Sequence, residues 1–223
     1  MFKFEIEKRP EFAWLKILIP AGKKVFVESG SMATMTSNLS LKILSRGFFK
    51  RFLSRESLFL SEFKADGFEG ELCLAPGPFG DVGCRELKQE TFYLASTSYL
   101  AHTEGLEYQT KFQKLSQGLL SGAGWFLVKM SGTGQVWFNG YGQLVELDVH
   151  DELTIDNGHV VGFSEGVEYD IIKLGGYMSL FFSGEGFVCK FRGKGQVILQ
   201  TKKPAALIDW ADSFRRVESS NNN

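Results

Sequence analysis

The chain is short of the residues on which metal and disulfide chemistry depends: three histidines and three cysteines occur among 223 residues. Cys73, Cys84 and Cys189 are scattered, odd in number and free of Cys-x-x-Cys spacing, which excludes a disulfide framework and fits reduced thiols in a cytosol-like compartment. Cys73 and Cys189 lie inside strand-like patterns and are expected to be buried structural residues. His102, His150 and His159 stand apart with no His-x-His pair, so the clustered imidazoles of a metal-binding β-barrel enzyme are missing. None sits in a recognisable nucleophile motif. An excess of either charge is also missing. With 25 Lys and Arg against 26 Asp and Glu, net charge −1 and pI near 6.3, there is no general attraction for nucleic acid or anionic lipid. Any basic function must be local. No run approaches the roughly 20 apolar residues that span a bilayer. The start Met1-Phe2-Lys3-Phe4-Glu5 lacks the basic and apolar regions of a signal peptide, so a cytoplasmic location is expected.

What the chain does have is self-similarity. Glu104-Gly105-Leu106-Glu107-Tyr108 recurs 61 residues later as Glu165-Gly166-Val167-Glu168-Tyr169, and Gly132-Thr133-Gly134-Gln135-Val136 recurs at the same offset as Gly193-Lys194-Gly195-Gln196-Val197. One offset shared by two pentapeptides points to duplication into large β units. A more diverged third copy places Val25 to Met32 against Leu153 to Val160, and Arg55 to Leu74 against Gly184 to Leu199. Closure of three such units requires the strands near 180–201 to lie beside those near 12–40, which would remove exposed sheet edges.

Strand signals dominate. Phe126, Val128 and Met130 alternate with Leu127 and Lys129, and Phe187, Cys189 and Phe191 with Val188 and Lys190. Each of these runs is predicted to turn at its Gly-x-Gly into a partner strand, Val136-Trp137-Phe138 or Val197-Ile198-Leu199, making a hairpin. Gln143 to Leu147, Leu153 to Ile155 and Val160 to Phe163 read as further short strands. Phe112, Leu115 and Leu119 have helical spacing between units. Leu207, Trp210, Ala211 and Phe214 have it after Pro204, where a helix capping the barrel is expected.

The fold class predicted is all-β: three interleaved β repeats in a closed pseudo-threefold barrel or sandwich, with a short inter-repeat helix and a C-terminal helix. One β domain is expected over residues 1–218, with repeat halves at about 12–45 with 180–201, units at about 55–110 and 122–172, and a disordered polar tail at 219–223.

Ser183 to Phe191, followed by Gly193-Lys194-Gly195-Gln196-Val197, Gln200-Thr201 and Trp210, resembles the closing signature of the altered-inheritance-of-mitochondria protein twenty-four family. Gly30-Ser31-Met32, Glu56-Ser57-Leu58-Phe59 and Asp156 to Val161 extend the resemblance over nearly the whole chain. The resemblance implies a tripled fold similar to the tryptophan RNA-binding attenuation protein and, for mitochondrial members, a role in inner-membrane organisation. It supplies no catalytic residues. The chain departs from the family pattern at Ser54-Arg55-Glu56, where Gly-Glu is common, and lacks most of the Gly-rich run before it.

Chemistry-bearing motifs give way to simpler readings. Glu56 and Glu185, at equivalent places in two units, open strands and are expected to accept backbone hydrogen bonds rather than form a carboxylate pair. His159 aligns with Ser98 and Ser31 at a turn. The Gly-x-Gly steps lead from strand to strand, whereas nucleotide loops lead into a helix whose amides hold phosphate. RNA binding does not follow from fold likeness, and no continuous basic stripe is present.

One segment is distinctive. Arg46, Phe48, Phe49, Lys50, Arg51, Phe52 and Arg55 put four basic residues and three phenylalanines into ten positions between units. Three readings stand: the rings enter a headgroup boundary while the charges meet anionic lipid, the rings fill the barrel end, or the patch mediates self-association. The function expected is a non-enzymatic scaffold or interaction protein, a homo-oligomer without cofactor, peripherally associated with the inner face of a membrane. The alternative is a small-ligand binder or enzyme with its site on the pseudo-threefold axis.

Overall fold

The computed structural model describes residues 1–44, 60–114, 124–173 and 187–215. The N-terminal strands are β1 (Lys3–Glu7), β2 (Trp14–Ile19), β3 (Lys24–Glu28), β4 (Met32–Met35), β5 (Leu39–Leu44), β6 (Leu60–Ala65) and β7 (Gly70–Leu74). Two long strands follow, β8 (Val82–Ala95) and β11 (Gly124–Asn139), with β9 (Tyr99–Thr103) and β10 (Leu106–Lys114) between them. The last group is β12 (Leu144–Val149), β13 (Glu152–Asp156), β14 (Val160–Ser164), β15 (Val167–Lys173), β16 (Phe187–Gly193) and β17 (Gly195–Gln200), then the helix α1 (Pro204–Asp212). The protein is mostly β, as the alternating apolar pattern requires.

These strands form three sheets. One runs β1-β2-β7-β4; a second runs β12-β17-β14-β8-β11-β9-β3-β6-β5, with β10 also on β11; a third runs β13-β16-β15. Among the described residues none of these sheets closes into a barrel. The strands expected to meet for closure do not pair: β2 to β5 pair with β1, β6, β7 and β9, while β16 and β17 pair with β12 to β15. Residues 14–44 thus find their main partners in 60–74 rather than in 187–200, because each N-terminal strand meets a complementary apolar face close by in sequence.

The buried apolar residues fall into three clusters, each of which draws on strands from more than one group. Leu15, Ile17 and Ile19 of β2 and Val25 and Val27 of β3 alternate inward and pack with Phe63, Leu72, Leu74 and Trp137. Phe92, Leu94, Tyr99, Val128, Met130 and Phe138 fill the middle core. Ile155, Phe163, Val167, Cys189, Phe191 and Val197 fill the third. Full burial of each large side chain contributes about 1.5–3 kcal/mol, so the fold rests on these three packed clusters. Cys73 and Cys189 are buried free thiols, as their place in strands implies. Arg9 closes the first core at its edge, donating from Nε and Nη2 at 2.7 Å each to the buried carboxylate of Asp81.

The Gly-x-Gly steps do not make hairpins. β11 passes straight through Gly132 with a register shift against β8, and β16 and β17 meet at Gly193-Lys194-Gly195 yet belong to different sheets. The glycines bend a continuing strand. Gly132 has φ +118° and Gly193 φ +104°, and an added Cβ would lie 2.6 Å from the Gly105 carbonyl oxygen in one case and 2.3 Å from that of Gly166 in the other. The surrounding contacts match: Thr133 N–H donates to Gly105 O at 3.1 Å and Lys194 N–H to Gly166 O at 3.2 Å. Gln135 N–H donates to Thr103 Oγ1 at 3.0 Å, Gln196 N–H to Ser164 Oγ at 2.9 Å and Glu71 N–H to Thr36 Oγ1 at 3.0 Å. A tight glycine step and a strand bend look alike locally; the long pairing of β8 with β11 decides between them.

Two further expectations change. Phe112 lies in β10, paired with Phe126 of β11, so the helical spacing it shares with Leu115 and Leu119 is not used there; the latter two lie outside the described residues. The helix α1 does start at Pro204, at its first turn, but none of its residues is buried, so it does not seal a core of the described residues. The short strands expected over Gln143 to Phe163 are present as β12, β13 and β14.

Candidate interaction surface

The segment from Arg46 to Arg55, with Phe48, Phe49, Lys50, Arg51 and Phe52, lies outside the described residues, as do Glu56 and Glu185. The surface that can be described is built from two other elements. The first is β4, whose four residues are all exposed, Met32 at 38% and Met35 at 41%. Its ladder to β7 skips one residue between Met32 and Thr34, and the same skip occurs where β9 meets β11 and where β14 meets β17. Met35 therefore occupies the ladder place held by His102 in β9 and Phe163 in β14. Those two are buried, and Met35 is not. The second element is α1, which presents Ile208 (65%) and Trp210 (62%), with Phe214 (71%) just beyond its end and in edge contact with Trp210 at 5.1 Å. Helical spacing puts Trp210 on one side with Leu207 (37%), and Ile208 on the opposite side; Lys203, just before the helix, is engaged by Asp156 at 2.8 Å.

Sequence reading missed β4 and the exposure of α1. The signal for β4 was in the repeat alignment, which sets Met35 against Phe163, but alternation alone does not say which of two apolar residues is covered. For α1 the periodicity is real, and nothing in the sequence shows that its apolar residues stay exposed.

The three histidines are in separate places. His159 lies in a single 3-10 turn at Asn157–His159, and its Nδ1 meets the Gln200 carbonyl at 2.7 Å; the turn position expected from Ser98 and Ser31 is the one found. His150 lies in the turn between β12 and β13. His102 is buried in β9, stacked on Phe26 at 5.0 Å, with Nδ1 2.6 Å from the Tyr99 hydroxyl, which also meets the Phe26 carbonyl at 3.1 Å. Burial pushes the His102 pKa down to about 3 and that of Tyr99 up. Neither group is poised for proton transfer near neutrality. Cys84 and Cys189 are pushed up to about 12, first by burial and then by Glu86 and Asp156 respectively, so both thiols stay protonated. No group of three or more potential metal ligands is found among the described residues.

His102 gives a pH prediction. Its folded pKa lies below its unfolded value of 6.5, so the unfolded chain binds more protons between the two. Stability is complete above about pH 6.5 and falls as pH drops toward 3. The expected loss is about 2 kcal/mol between pH 6.5 and pH 5, read from urea unfolding midpoints, and His102→Gln flattens that slope. Glu28, whose pKa burial raises, works in the opposite sense, gaining stability as the folded carboxyl takes up its proton.

A cleft of about 320 Å³ opens between β8 and the turn from β14 to β15, lined by Arg85, Glu90, Thr91, Phe92, Ser164 and Glu165 among others. Several of its polar groups already have partners. Thr91 N–H donates to Glu165 Oε2 at 3.1 Å, Arg85 donates to Gln196 Oε1 at 2.8 Å, and the Arg85 guanidinium lies 5.8 Å from the Phe92 ring centre. No helix among the described residues is long and apolar enough to cross a membrane.

Comparisons with known proteins agree with this architecture. An uncharacterized protein of Streptococcus pyogenes serotype M6 is 29% identical over 212 residues, covering 89% of this chain and 85% of that protein. The X-ray structure of another Streptococcus pyogenes protein superposes with a TM-score of 0.83 at 26% identity, covering 96% of this chain and all of that one. The family described as Mitochondrial biogenesis AIM24 matches residues 4–202, and the chain belongs to that family.

Proposed function

We propose that this chain is a non-enzymatic scaffold or interaction protein: a cytoplasmic homo-oligomer of three-unit chains, docked peripherally on an anionic membrane surface. The observation that carries the reading is α1, a helix with no buried residue that holds Leu207 and Trp210 in solvent on one side, with Phe214 beyond its end. The matching skips and glycine contacts in three strand groups support the view that one β unit occurs three times about a pseudo-threefold axis. The depressed pKa of His102 and the protonated thiols support a role without acid–base or thiolate chemistry. Arg46, Lys50, Arg51 and Arg55 add local basic charge, each contributing about 1 kcal/mol near an anionic surface. The second reading, a small-ligand binder, rests on the cleft beside β8, which Arg85 lines.

Flotation with neutral and anionic vesicles at low and moderate salt tests the first reading. Binding to anionic vesicles alone, weakened by salt, is expected. A Trp210→Ser, Phe214→Ser variant and a Phe48→Ser, Phe49→Ser, Phe52→Ser variant apportion it between the helix and the basic segment. Absence of binding under all conditions rejects the membrane contact and leaves a protein partner or the cleft.

A further inference from the structure

The chain's own first residues show how an extended backbone is held at one edge of this fold. β1 lies antiparallel along β2, with Phe4 opposite Ile17 and Lys3 opposite Leu18, which puts Phe2 beside Ile19. Phe2 packs on the first cluster, and the side-chain amide of Gln135 holds its backbone twice. Phe2 N–H donates to Gln135 Oε1 at 2.7 Å, and Gln135 Nε2 donates to Phe2 O at 3.1 Å. Gln135 is fixed in turn by the bond from its own N–H to Thr103 Oγ1 at 3.0 Å.

The cleft beside β8 is the matching place one unit on. Arg85 stands opposite Val136 and Leu87 opposite Gly134, as Ile17 stands opposite Leu72 and Ile19 opposite Gly70. Gln196 repeats Gln135, with its N–H bonded to Ser164 Oγ at 2.9 Å. Phe92 faces Ser164 across β8 and β14 as Val25 faces Thr103 across β3 and β9. The counterpart of β1 is not there. Among the described residues the edge of β8 away from β11 carries β14 over Phe92 to Leu94 and no strand over Arg85 to Lys88. Beside that edge lies the cleft of about 320 Å³, with Leu87 and Phe92 as its apolar lining.

Its charges differ from those of the first site in a way that describes an occupant. Arg85 takes the place of Ile17. It is half-buried, gives one bond to Gln196 Oε1 at 2.8 Å, lies 5.8 Å from the Phe92 ring centre, and meets no carboxylate among the described residues. A guanidinium has five N–H donors, so most of its capacity is unspent. At the other end of the first site, Lys23 and Glu104 form an ion pair at 2.8 Å. By the two strand registers their counterparts are Glu90 and Glu165, both acidic, and two neighbouring carboxylates favour a cation. In the β1 pattern this is the end toward which the amino terminus of an added strand runs, since Phe2 lies beside Ile19 and Ile19 corresponds to Leu87.

We propose that the edge of β8 from Arg85 to Lys88, with the cleft beside it, binds the free amino-terminal segment of another polypeptide as an added antiparallel strand. The ammonium of that segment meets Glu90 and Glu165, its second residue is apolar and lies on Leu87 and Phe92, and its fourth is acidic and meets Arg85. Gln196 takes the backbone of the second residue through the remaining lone pair of Oε1 and the remaining N–H of Nε2, as Gln135 takes that of Phe2. Strand addition draws affinity from main-chain bonds and selectivity from alternate side chains. The charges choose between occupants. An internal segment of this chain brings no α-ammonium, and the amino terminus of a second copy is laid on its own β2 and has Phe4 rather than an acid in the place opposite Arg85. This deepens the interaction-protein reading, on which it rests, by naming a partner; it uses no lipid contact, so peptide binding and vesicle flotation succeed or fail separately.

The test is fluorescence anisotropy of the full chain with synthetic peptides labelled at the C-terminal end. One peptide is residues 1–8 of this chain with Phe4→Glu, which sets a carboxylate level with Arg85; the others are the unmodified residues 1–8 and an N-acetylated form of the first. The Phe4→Glu peptide should bind about tenfold more tightly than either of the others. Arg85→Leu restores the apolar character of Ile17 and should reverse the preference, so that the unmodified peptide binds better. Glu90→Gln, at an exposed position where folding is not at risk, should remove the advantage of the free amine while leaving the acetylated peptide unaffected. Failure of every peptide to bind the full chain overturns the proposal. Binding that ignores both variants, with circular dichroism unchanged, places the peptide elsewhere and overturns it as well. A shift in sedimentation of Arg85→Leu without peptide binding gives the edge to a second copy instead.

Discussion

Gly193→Ala should lower stability by roughly 2–5 kcal/mol, measured by urea unfolding. The cost has two parts. At φ +104° the backbone is in a region that side chains rarely adopt, which costs about 1–2 kcal/mol. The new Cβ would also sit 2.3 Å from the Gly166 carbonyl oxygen, an atom held by its bond from Lys194 N–H; overpacking of this kind costs about 1–3 kcal/mol. Gly22 separates the two, since it has φ +76° and nothing within 4 Å of an added Cβ. Gly22→Ala should show only the backbone part, about 1 kcal/mol. If both variants lose the same amount, the close approach at Gly193 contributes nothing and the bend between β16 and β17 has another cause. A loss near 4 kcal/mol is a large share of the roughly 5–15 kcal/mol that holds a typical domain together.

Phe163→Ala should be as damaging, at about 3–5 kcal/mol, because it opens a cavity in a packed aromatic group. Its ring is 1% exposed and lies 5.0 Å from Tyr93, 5.0 Å from Tyr169 and 5.4 Å from Phe191. These rings come from β8, β14, β15 and β16, so the third core and the seam to β8 loosen together. The denaturant midpoint should fall with an unchanged slope if the native state keeps its compactness. Met35→Ala, at the matching ladder place in β4, should cost under about 0.5 kcal/mol in a monomer because surface changes of this kind are small. The contrast separates what a ladder position does by itself from what coverage adds.

These two positions also mark how far the sequence could be read. The strands of the C-terminal group, the turn at His159 and the start of α1 at Pro204 were all legible, because each is fixed by alternation, a turn residue or a ring-constrained φ acting within a few residues. Connection between sheets was not. Gly132-Thr133-Gly134 serves equally as a hairpin turn or as a bend in a long strand, and the choice falls to β8, whose 14 residues lie along β11 on both sides of the bend. Phe112 shows the same limit, since a few apolar residues at helical spacing yield when a strand such as Phe126 offers a full ladder. The candidate site was the least legible part. Met35 and Phe163 are both apolar residues in short strands, and only the assembled sheet order shows that one has a neighbour across its open edge and the other does not. The segment richest in signals by composition, Arg46 to Arg55, lies outside the described residues.

The pairing pattern also has a bearing on how the chain is made. Among the described residues, every strand paired with β1, β2, β4, β5, β6 or β7 lies at or before Leu74, and β3 alone waits for β9. A ribosome adds about 5–20 residues each second, so the later strands take on the order of ten seconds to follow, whereas hairpins form in about 1–10 μs. The N-terminal strands therefore have time to pair while translation is still under way, and the outer edge of β4 is presented to the surroundings before the last strands have been synthesised.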